Sequence, residues 1–126
     1  MAQCPFSIGD FLNFTPHDVV IKESGTGAVF RIPSAGVIRL GSAFEPTLVE
    51  WVGGIPITNP PSFTKLEGPV DHFMAAKCAI VSSMVGEFVA THGIRMRVYS
   101  PSTVVAYQVR DEKGNMAGVM SLVRHA

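Results

Sequence analysis

Glycine and proline divide this chain into short pieces. Twelve glycines and nine prolines are spread over its 126 residues. Glycine permits the positive backbone angles of tight turns, whereas proline removes a ladder hydrogen bond and interrupts helices. This composition is typical of short strands joined by turns rather than of long helices. The length is that of one domain, so we expect residues 1–126 to form a single compact unit.

Three alternating runs near the start predict an antiparallel meander. The segments Asp18–Glu23, Ala28–Pro33 and Val37–Ser42 alternate apolar and charged side chains, as half-buried strands do. The links between them are short and contain glycine. Consecutive strands joined in this way usually pair as hairpins.

The rest of the chain predicts further strands and one long loop. Ile94–Pro101 alternates again, with Arg95 and Arg97 on one face. The runs on either side of "DEKG" predict a hairpin in which Gly114 takes the left-handed conformation. The proline-dense segment 55–69 predicts an ordered loop, with a short strand at Ser62–Leu66.

Two interpretations fit the segment Asp71–Gly93. Its apolar pairs recur at helical spacing, which would give one helix of about 20 residues capped at both ends. Alternatively, a buried strand around Cys78 precedes a helix over Ser83–His92 with a serine N-cap. The β-branched pair at 80–81 and the double serine favour the second interpretation. We therefore expect an α+β fold, a mainly antiparallel sheet with this one principal helix packed on it.

Charge and hydropathy exclude several classes of partner. Ten basic residues balance ten acidic ones, and no basic run exists to attract nucleic acid or an anionic membrane surface. No apolar stretch is long enough to span a bilayer, and the start lacks the pattern of a secretion signal, so we expect a cytoplasmic protein. Apolar residues make up 47% and charged residues 16%, an excess that suggests both a core that is large for the length and a homo-oligomer interface.

The cysteines and histidines do not have the spacing of metal ligands. Cys4 and Cys78 are far apart, and the four histidines are scattered at 17, 72, 92 and 125 without ligand spacing. We expect neither a metal nor a cofactor. Cys78 lies in an apolar run and is expected to be buried, Cys4 is expected to be a loose thiol, and His125 a tail residue.

The stretch "NFTPHDVVI" places His17 directly after Thr-Pro. Pro16 fixes its own φ angle and pushes Thr15 toward an extended conformation. Thr15, His17 and Asp18 can all bond neighbouring backbone groups, which predicts a turn that sets the register of the first strands. The alternative is a ligand-binding imidazole. A general base would also need a partner, which the sequence does not identify.

Ser82, Ser83 and two arginines are the other candidates. Serines at the start of a helix either cap it or, with its free amides, bind a carboxylate or phosphate. Neither a Gly-x-Ser-x-Gly elbow nor a phosphate loop occurs. Arg95 and Arg97 would complete an anion site if they shared a cleft with Ser82 and His17. On a solvated face they would only keep a sheet edge soluble.

Four stretches in order carry a resemblance to a known family. They are "LNFTPHDVVI", "IVSSMV", "VYSP" and "VRDEKGNMAGVMSLVR". Together they resemble a family of small bacterial and phage proteins with an Asn-Leu-Thr-Pro-His opening and a closing Arg-Asp-x-x-Gly hairpin. The chain has Phe14 in place of the leucine and is also similar to a hypothetical protein of trypanosomatid parasites. The stretches cover under half of the chain, and the resemblance implies a compact α+β fold but no reaction.

These observations leave three hypotheses for function. The first is a non-enzymatic binding module for a small anionic molecule or a protein partner, without catalytic residues. The second is a small hydrolase or lyase that uses His17 with Asp18 or a serine. The third is a structural protein that forms a homo-oligomer. For the first, the candidate ligand-binding residues are Thr15, His17, Ser82, Ser83, Arg95 and Arg97.

Overall fold

Short strands dominate the fold. The computed structural model describes residues 3–42, 47–59 and 63–126, with the backbone alone at Ser42 and Phe63. The strands of this part are β1 (Phe11–Asn13), β2 (Val19–Lys22), β3 (Val29–Ile32), β4 (Arg39–Ser42), β5 (Leu48–Val52), β6 (Ile55–Thr58), β7 (Phe63–Glu67), β8 (Cys78–Ile80), β9 (Arg97–Pro101), β10 (Gln108–Arg110), β11 (Met116–Val119) and β12 (Leu122–Arg124). The helices are α1 (Val70–Met74) and α2 (Ser83–Thr91). The predicted α+β class is confirmed.

The first sheet has the order β1-β8-β9-β12 and is parallel at its centre. β8 runs parallel to both β1 and β9, whereas β12 is antiparallel to β9. All three residues of β8 are fully buried, as expected of a central strand covered on both faces. The prediction of a mainly antiparallel sheet is therefore wrong for these central strands. The continuous apolar run that encodes β8 carries no alternation from which its direction could be read.

Helix α2 connects the parallel strands β8 and β9. The Ser82 hydroxyl accepts a hydrogen bond from the Val85 amide at 3.4 Å, which makes Ser82 the N-cap. The helix ends at His92, and Gly93 follows with φ at 64°. Val85 and Val89 are buried on the inner face of the helix. The prediction of a strand followed by a helix is confirmed. No helix in the described part is long and apolar enough to cross a membrane.

The second sheet has the order β10-β11-β2-β3 and joins two hairpins. β2 pairs with β3, and β10 with β11, in antiparallel fashion. One parallel pair, Val119 with Ile21, connects the hairpins. Both hairpins were predicted, and Gly114 has the expected positive φ of 80°. The parallel pair was not predictable from local pattern, because the two hairpins that it joins lie far apart in the chain.

Strand β4 departs from the predicted meander. It pairs with β7 instead of β3, so only two strands of the meander are formed. β6, at the start of the segment 55–69 where a loop was expected, forms a hairpin with β5, and its Pro56 lies opposite Trp51. A proline is compatible with this position because the sheet has only two strands. The short strand expected at Ser62–Leu66 is observed as β7, with Ser62 and the Pro60-Pro61 pair outside the described residues.

The main core lies between the first sheet and its helices. Phe14 and Phe73 are fully buried and meet edge to face at 5.4 Å. The strand predicted over Ile94–Pro101 begins only at Arg97, and its central residues are buried on both faces. The other buried members of this core cluster are Ile38, Ala79, Val81, Val85, Val89 and Val98.

Candidate functional site

A cleft of about 460 Å³ opens at the carboxyl ends of the three parallel strands. Thr15 follows β1, Ser82 follows β8 and Ser102 follows β9, and all three residues line the cleft. Residues of β2 and β11 in the second sheet line it as well. The carboxyl edge of parallel strands is where α/β folds usually bind their ligands. The position of the cleft therefore follows from the parallel arrangement of the strands at the centre of the first sheet.

Asn13 organises the turn that carries Thr15 and His17 into the cleft. Its side chain is fully buried. Its amide nitrogen donates to the carbonyl oxygens of His17 at 2.7 Å and of Ile32 at 3.0 Å. Its oxygen accepts from the Thr15 amide at 2.9 Å and from the Thr15 hydroxyl at 2.6 Å. These four bonds use the full capacity of an asparagine. The predicted turn is confirmed.

Asn13 was not among the residues singled out from the sequence. Asparagine, threonine and aspartate near a strand end all favour local bonds to the backbone, so its type and position were a usable signal. The hydrogen bond from Asn13 to the Ile32 carbonyl of β3 was not predictable from residue type, because it depends on how the two sheets pack together.

The imidazole of His17 lies exposed at the cleft. None of the residues that the structure describes is hydrogen-bonded to this ring, and only the backbone of His17 is held. The neighbouring carboxylate of Asp18 lies 3.4 Å from the guanidinium of Arg31 instead. Within the described residues, His17 thus lacks the oriented carboxylate or hydroxyl that a general base or an activated nucleophile needs.

Ser82 combines capping with access to the cleft. Its hydroxyl oxygen accepts from the Val85 amide, and its carbonyl accepts from the Gly86 amide at 2.9 Å. The hydroxyl proton is still able to donate to a ligand. The N-terminus of α2 adds a partial positive charge at this end of the cleft. Ser83 is exposed and does not line the cleft.

The remaining cleft wall is largely apolar with a few polar groups. Val19, Met116 and Val119 provide apolar surface. Ser102 is almost fully buried, and its hydroxyl accepts from the Val104 amide at 3.2 Å. The Gln108 side chain, also in the lining, donates to the Thr103 carbonyl at 3.4 Å. The sequence analysis missed Ser102 and Gln108, although serine and threonine after a strand-ending proline are a common sign of a turn at a strand edge.

Arg95 and Arg97 lie away from this cleft. Arg97 is in register with Cys78, at the amino ends of β9 and β8, whereas Ser82 follows the carboxyl end of β8. At the usual rise of a strand, Ser82 lies roughly 13 Å along the chain direction from Cys78 and from its neighbour Arg97. The Arg97 guanidinium donates to the Tyr99 hydroxyl at 3.2 Å, and Arg95 is exposed before the strand begins. The six candidate residues therefore do not form one cluster, since the parallel register separates the arginines from the serine.

A second polar pair joins Ser100 to His125. The Ser100 hydroxyl lies 2.7 Å from Nε2 of His125, and Ser100 is 3% exposed. The imidazole packs directly over Gly86 of α2. The expectation of a free tail at His125 is wrong, because the segment after β12 returns to bond β9. Neither side chain lines the cleft, so we assign the pair a structural role.

Comparisons of the chain with protein-family models, with curated proteins and with solved structures find no match. The resemblance read from the sequence stays an expectation. Function is therefore inferred from the geometry of the cleft.

Proposed function

We propose that this protein is a non-enzymatic binding module whose cleft takes a small carboxylic acid with a short apolar body. The observation that carries the proposal is the meeting of His17, Ser82 and the N-terminus of α2 in a cleft that is otherwise mainly apolar. That combination offers hydrogen-bond donors at one end and apolar surface at the other.

Donor groups at one end of the cleft suit a carboxylate. The ring of His17 and the hydroxyl of Ser82 each offer a donor, and the helix N-terminus favours negative charge. The carboxylate of Asp18 would oppose an anion, but the Arg31 guanidinium offsets its charge. Because Arg95 and Arg97 lie elsewhere, one carboxylate fits better than a multiply charged phosphate ester.

Apolar side chains at the other end suit a short hydrocarbon body. Val19, Val119 and Met116 line this part of the cleft. The volume of about 460 Å³ lies within the usual range of small-molecule sites. The absence of a relay on His17 within the described residues favours binding over catalysis.

A titration followed by amide chemical shifts tests this proposal. The probes are benzoate and hexanoate, each compared with the matched alcohol. We expect each acid, at millimolar concentration, to shift the amides of Thr15–Val20, Ser82–Val85 and Met116–Val119 more than its alcohol does. Shifts that are absent, or that fall on another surface, would refute the binding module.

Two variants and a control refine the test. His17→Ala and Ser82→Ala each remove a donor to the carboxylate, and each is expected to weaken acid binding about tenfold. Arg97→Gln lies at the opposite end of the strands and is expected to leave the affinity unchanged. Equal affinity in all three variants would contradict the assigned position of the carboxylate.

A second candidate function is self-association through the β5–β6 hairpin. Five of its large apolar side chains are exposed by at least 49%, whereas Ile57 is half-buried. Both edges of this two-stranded sheet present backbone groups that can pair with another strand. Glu50 is the only charged residue in the hairpin. The exposed apolar side chains are Leu48, Val49, Trp51, Val52 and Ile55.

A second copy of the chain offers a matching groove. This groove of about 310 Å³ is apolar except for Ser82 and Arg39, and its apolar lining includes Val37, Leu40 and Met84. Glu50 of one copy can pair with Arg39 of the other while Trp51 covers the apolar surface. We propose that this pairing selects a second copy over an unrelated partner.

Sedimentation over a concentration series tests the self-association. The wild type is expected to dimerise, Trp51→Ser to stay monomeric, and Val104→Ser, an exposed valine elsewhere, to behave like the wild type. Glu50→Arg is expected to weaken the dimer and Arg39→Glu in the same chain to restore it. A wild type that stays monomeric at every concentration would remove this candidate.

A further inference from the structure

Four side chains meet at the amino edge of the first sheet, at the opposite end of the strands from the cleft. The Cys4 sulfur lies 3.9 Å from the Tyr99 hydroxyl and 4.0 Å from Nη1 of Arg97. The same Nη1 donates to the Tyr99 hydroxyl at 3.2 Å. Beside the cluster, Cζ of Arg97 lies 5.6 Å from the centroid of the Phe6 ring. The fourth member of the cluster is Cys78, in register with Arg97.

The two cysteines are neighbours in the fold although they are far apart in sequence. Cys78 is in register with Arg97 on the adjacent parallel strand, and the Cys4 sulfur lies 4.0 Å from Nη1 of Arg97. Cys4 is exposed, whereas Cys78 is fully buried in the central strand β8. The expectation of a loose thiol at Cys4 is therefore wrong, because its sulfur rests on the side chains of Tyr99 and Arg97.

The two thiols have different environments and therefore different reactivity. The backbone amide of Phe6 holds the pKa of Cys4 below its usual value, and the Tyr99 hydroxyl and the Arg97 charge act in the same direction. Burial raises the pKa of Cys78, and the neighbouring Cys4 adds to this effect. Thiolate character and exposure make a cysteine susceptible to oxidation, whereas a buried protonated thiol is protected from reagents in solution.

We propose that Cys4 is an oxidation site for hydroperoxides and that Cys78 captures the oxidised sulfur as an intramolecular disulfide. In the first step the Cys4 thiolate attacks an oxygen of the peroxide and the O–O bond breaks. The sulfur is oxidised by two electrons to a sulfenic acid, and the other peroxide oxygen leaves and takes a proton from water, giving an alcohol, or water from hydrogen peroxide. In the second step the Cys78 sulfur attacks the Cys4 sulfur. A disulfide forms, and the hydroxyl leaves as water with the proton of Cys78.

The cluster supports both steps. The Arg97 guanidinium stabilises the thiolate and, through its bond to Tyr99, stays in place beside it. Because both cysteines lie beside Arg97, Cys78 is close enough to capture the sulfenic acid before a second peroxide oxidises it further. The disulfide would cross-link the segment before β1 to the central strand β8.

Peroxide treatment of the full chain tests the proposal. With hydrogen peroxide as the probe, we expect the intact mass to fall by two hydrogens and a peptide map to show Cys4 linked to Cys78. In Cys78→Ala we expect a sulfenic acid at Cys4 that dimedone traps, and in Cys4→Ser we expect Cys78 to stay reduced. Circular dichroism of both variants verifies that they fold.

The rate of the first step provides a control. Cys4 is expected to react at least several-fold faster than glutathione at neutral pH, and Arg97→Gln is expected to remove most of this advantage. Arg95→Gln, two residues away and outside the cluster, should keep it. The proposal is overturned if peroxide gives mainly disulfides between two chains, if Cys4 is driven to sulfinic acid while Cys78 stays free, or if Cys4 reacts no faster than glutathione. The wild-type peptide map decides this even if a variant does not fold.

Discussion

The side-chain amide of Asn13 donates a 2.7 Å hydrogen bond to the carbonyl oxygen of His17, four residues ahead. Because Asn13 is fully buried at the end of β1, this bond fixes the path of the chain between the two sheets. It also holds the backbone of His17 and leaves the imidazole at the cleft. The histidine thus follows Thr-Pro as part of a turn whose centre is the asparagine.

Asn13→Ala is expected to lower the free energy of unfolding by about 3 kcal/mol, because it leaves several buried backbone groups without partners. Urea denaturation followed by circular dichroism measures this. Asn13→Asp is expected to be similarly destabilised, since a carboxylate cannot donate to the carbonyls of His17 and Ile32. The exposed Asn59→Ala is the control, with a change within about 0.5 kcal/mol. Wild-type stability in Asn13→Ala would contradict the role of the asparagine.

Ser82 and Ser83 form a matched pair for a capping test. Ser82→Ala removes the acceptor of the Val85 amide and is expected to cost about 1 kcal/mol of stability. Ser83→Ala lies one residue inside the helix and is expected to be neutral or slightly stabilising. Thermal and urea unfolding of the two variants measure the difference. If both substitutions cost the same, Ser82 is not the cap.

Gly86→Ala is expected to destabilise the protein, although alanine normally stabilises a helix by about 1 kcal/mol relative to glycine. A Cβ at this position would meet the His125 ring, which is held by Ser100. Overpacking of this kind costs about 1–3 kcal/mol. In a His125→Ala background the same change should become stabilising, and urea denaturation of the four proteins completes the cycle. An unchanged effect in both backgrounds would show that the ring is not the obstacle.

Asp10 is expected to make the free energy of unfolding depend on pH at low pH. The backbone amide of Ser7, followed by the charge of Lys77, lowers the pKa of Asp10. A carboxyl whose pKa is lower in the folded state contributes stability above its unfolded pKa, and this contribution is lost as the pH falls through the folded value. Asp10→Asn should therefore be slightly less stable than the wild type at neutral pH, and the two should converge as the pH falls below the lowered pKa of Asp10. Urea denaturation at several pH values measures this.

The control for Asp10 is Glu112→Gln, in the exposed turn of the β10–β11 hairpin. Its effect on stability should be small and nearly independent of pH, because an exposed charge is screened by solvent. A gap between Asp10→Asn and the wild type that stays constant down to pH 2 would rule out the lowered pKa as its cause.

Local features of the fold were predictable from the sequence, but partners distant in the chain were not. The alternation of Val19 and Ile21, and the glycine at 114, correctly predicted two hairpins. Alternation does not specify which edge a strand joins, so β4 was assigned to β3 although it pairs with β7. The direction of β8 was not predictable either, because Cys78–Ile80 is buried on both faces and reads as a short apolar run.

The candidate site was predictable only in part, because its residues come from segments that are distant in the chain. Thr15, His17 and Ser82 each follow a strand end, and the parallel arrangement brings those ends together. Arg97 was grouped with them because its residue type suits an anion, but the register with Cys78 places it at the other edge. Residue type identified the side chains that can bind an anion. Whether those side chains lie close together depended on the direction of the strands, which the sequence did not show.

The first sheet also governs how this chain folds during synthesis on the ribosome. Its strands come from residues 11–13, 78–80, 97–101 and 122–124, and the carbonyl of Ala126 accepts from the amide of Val98. A nascent chain that stops short of residue 122 exposes the outer edge of β9 and leaves His125 absent from the surface of α2. The central layer therefore closes only after residues 122–126 have emerged from the exit tunnel, since β12 is the last strand to join the sheet.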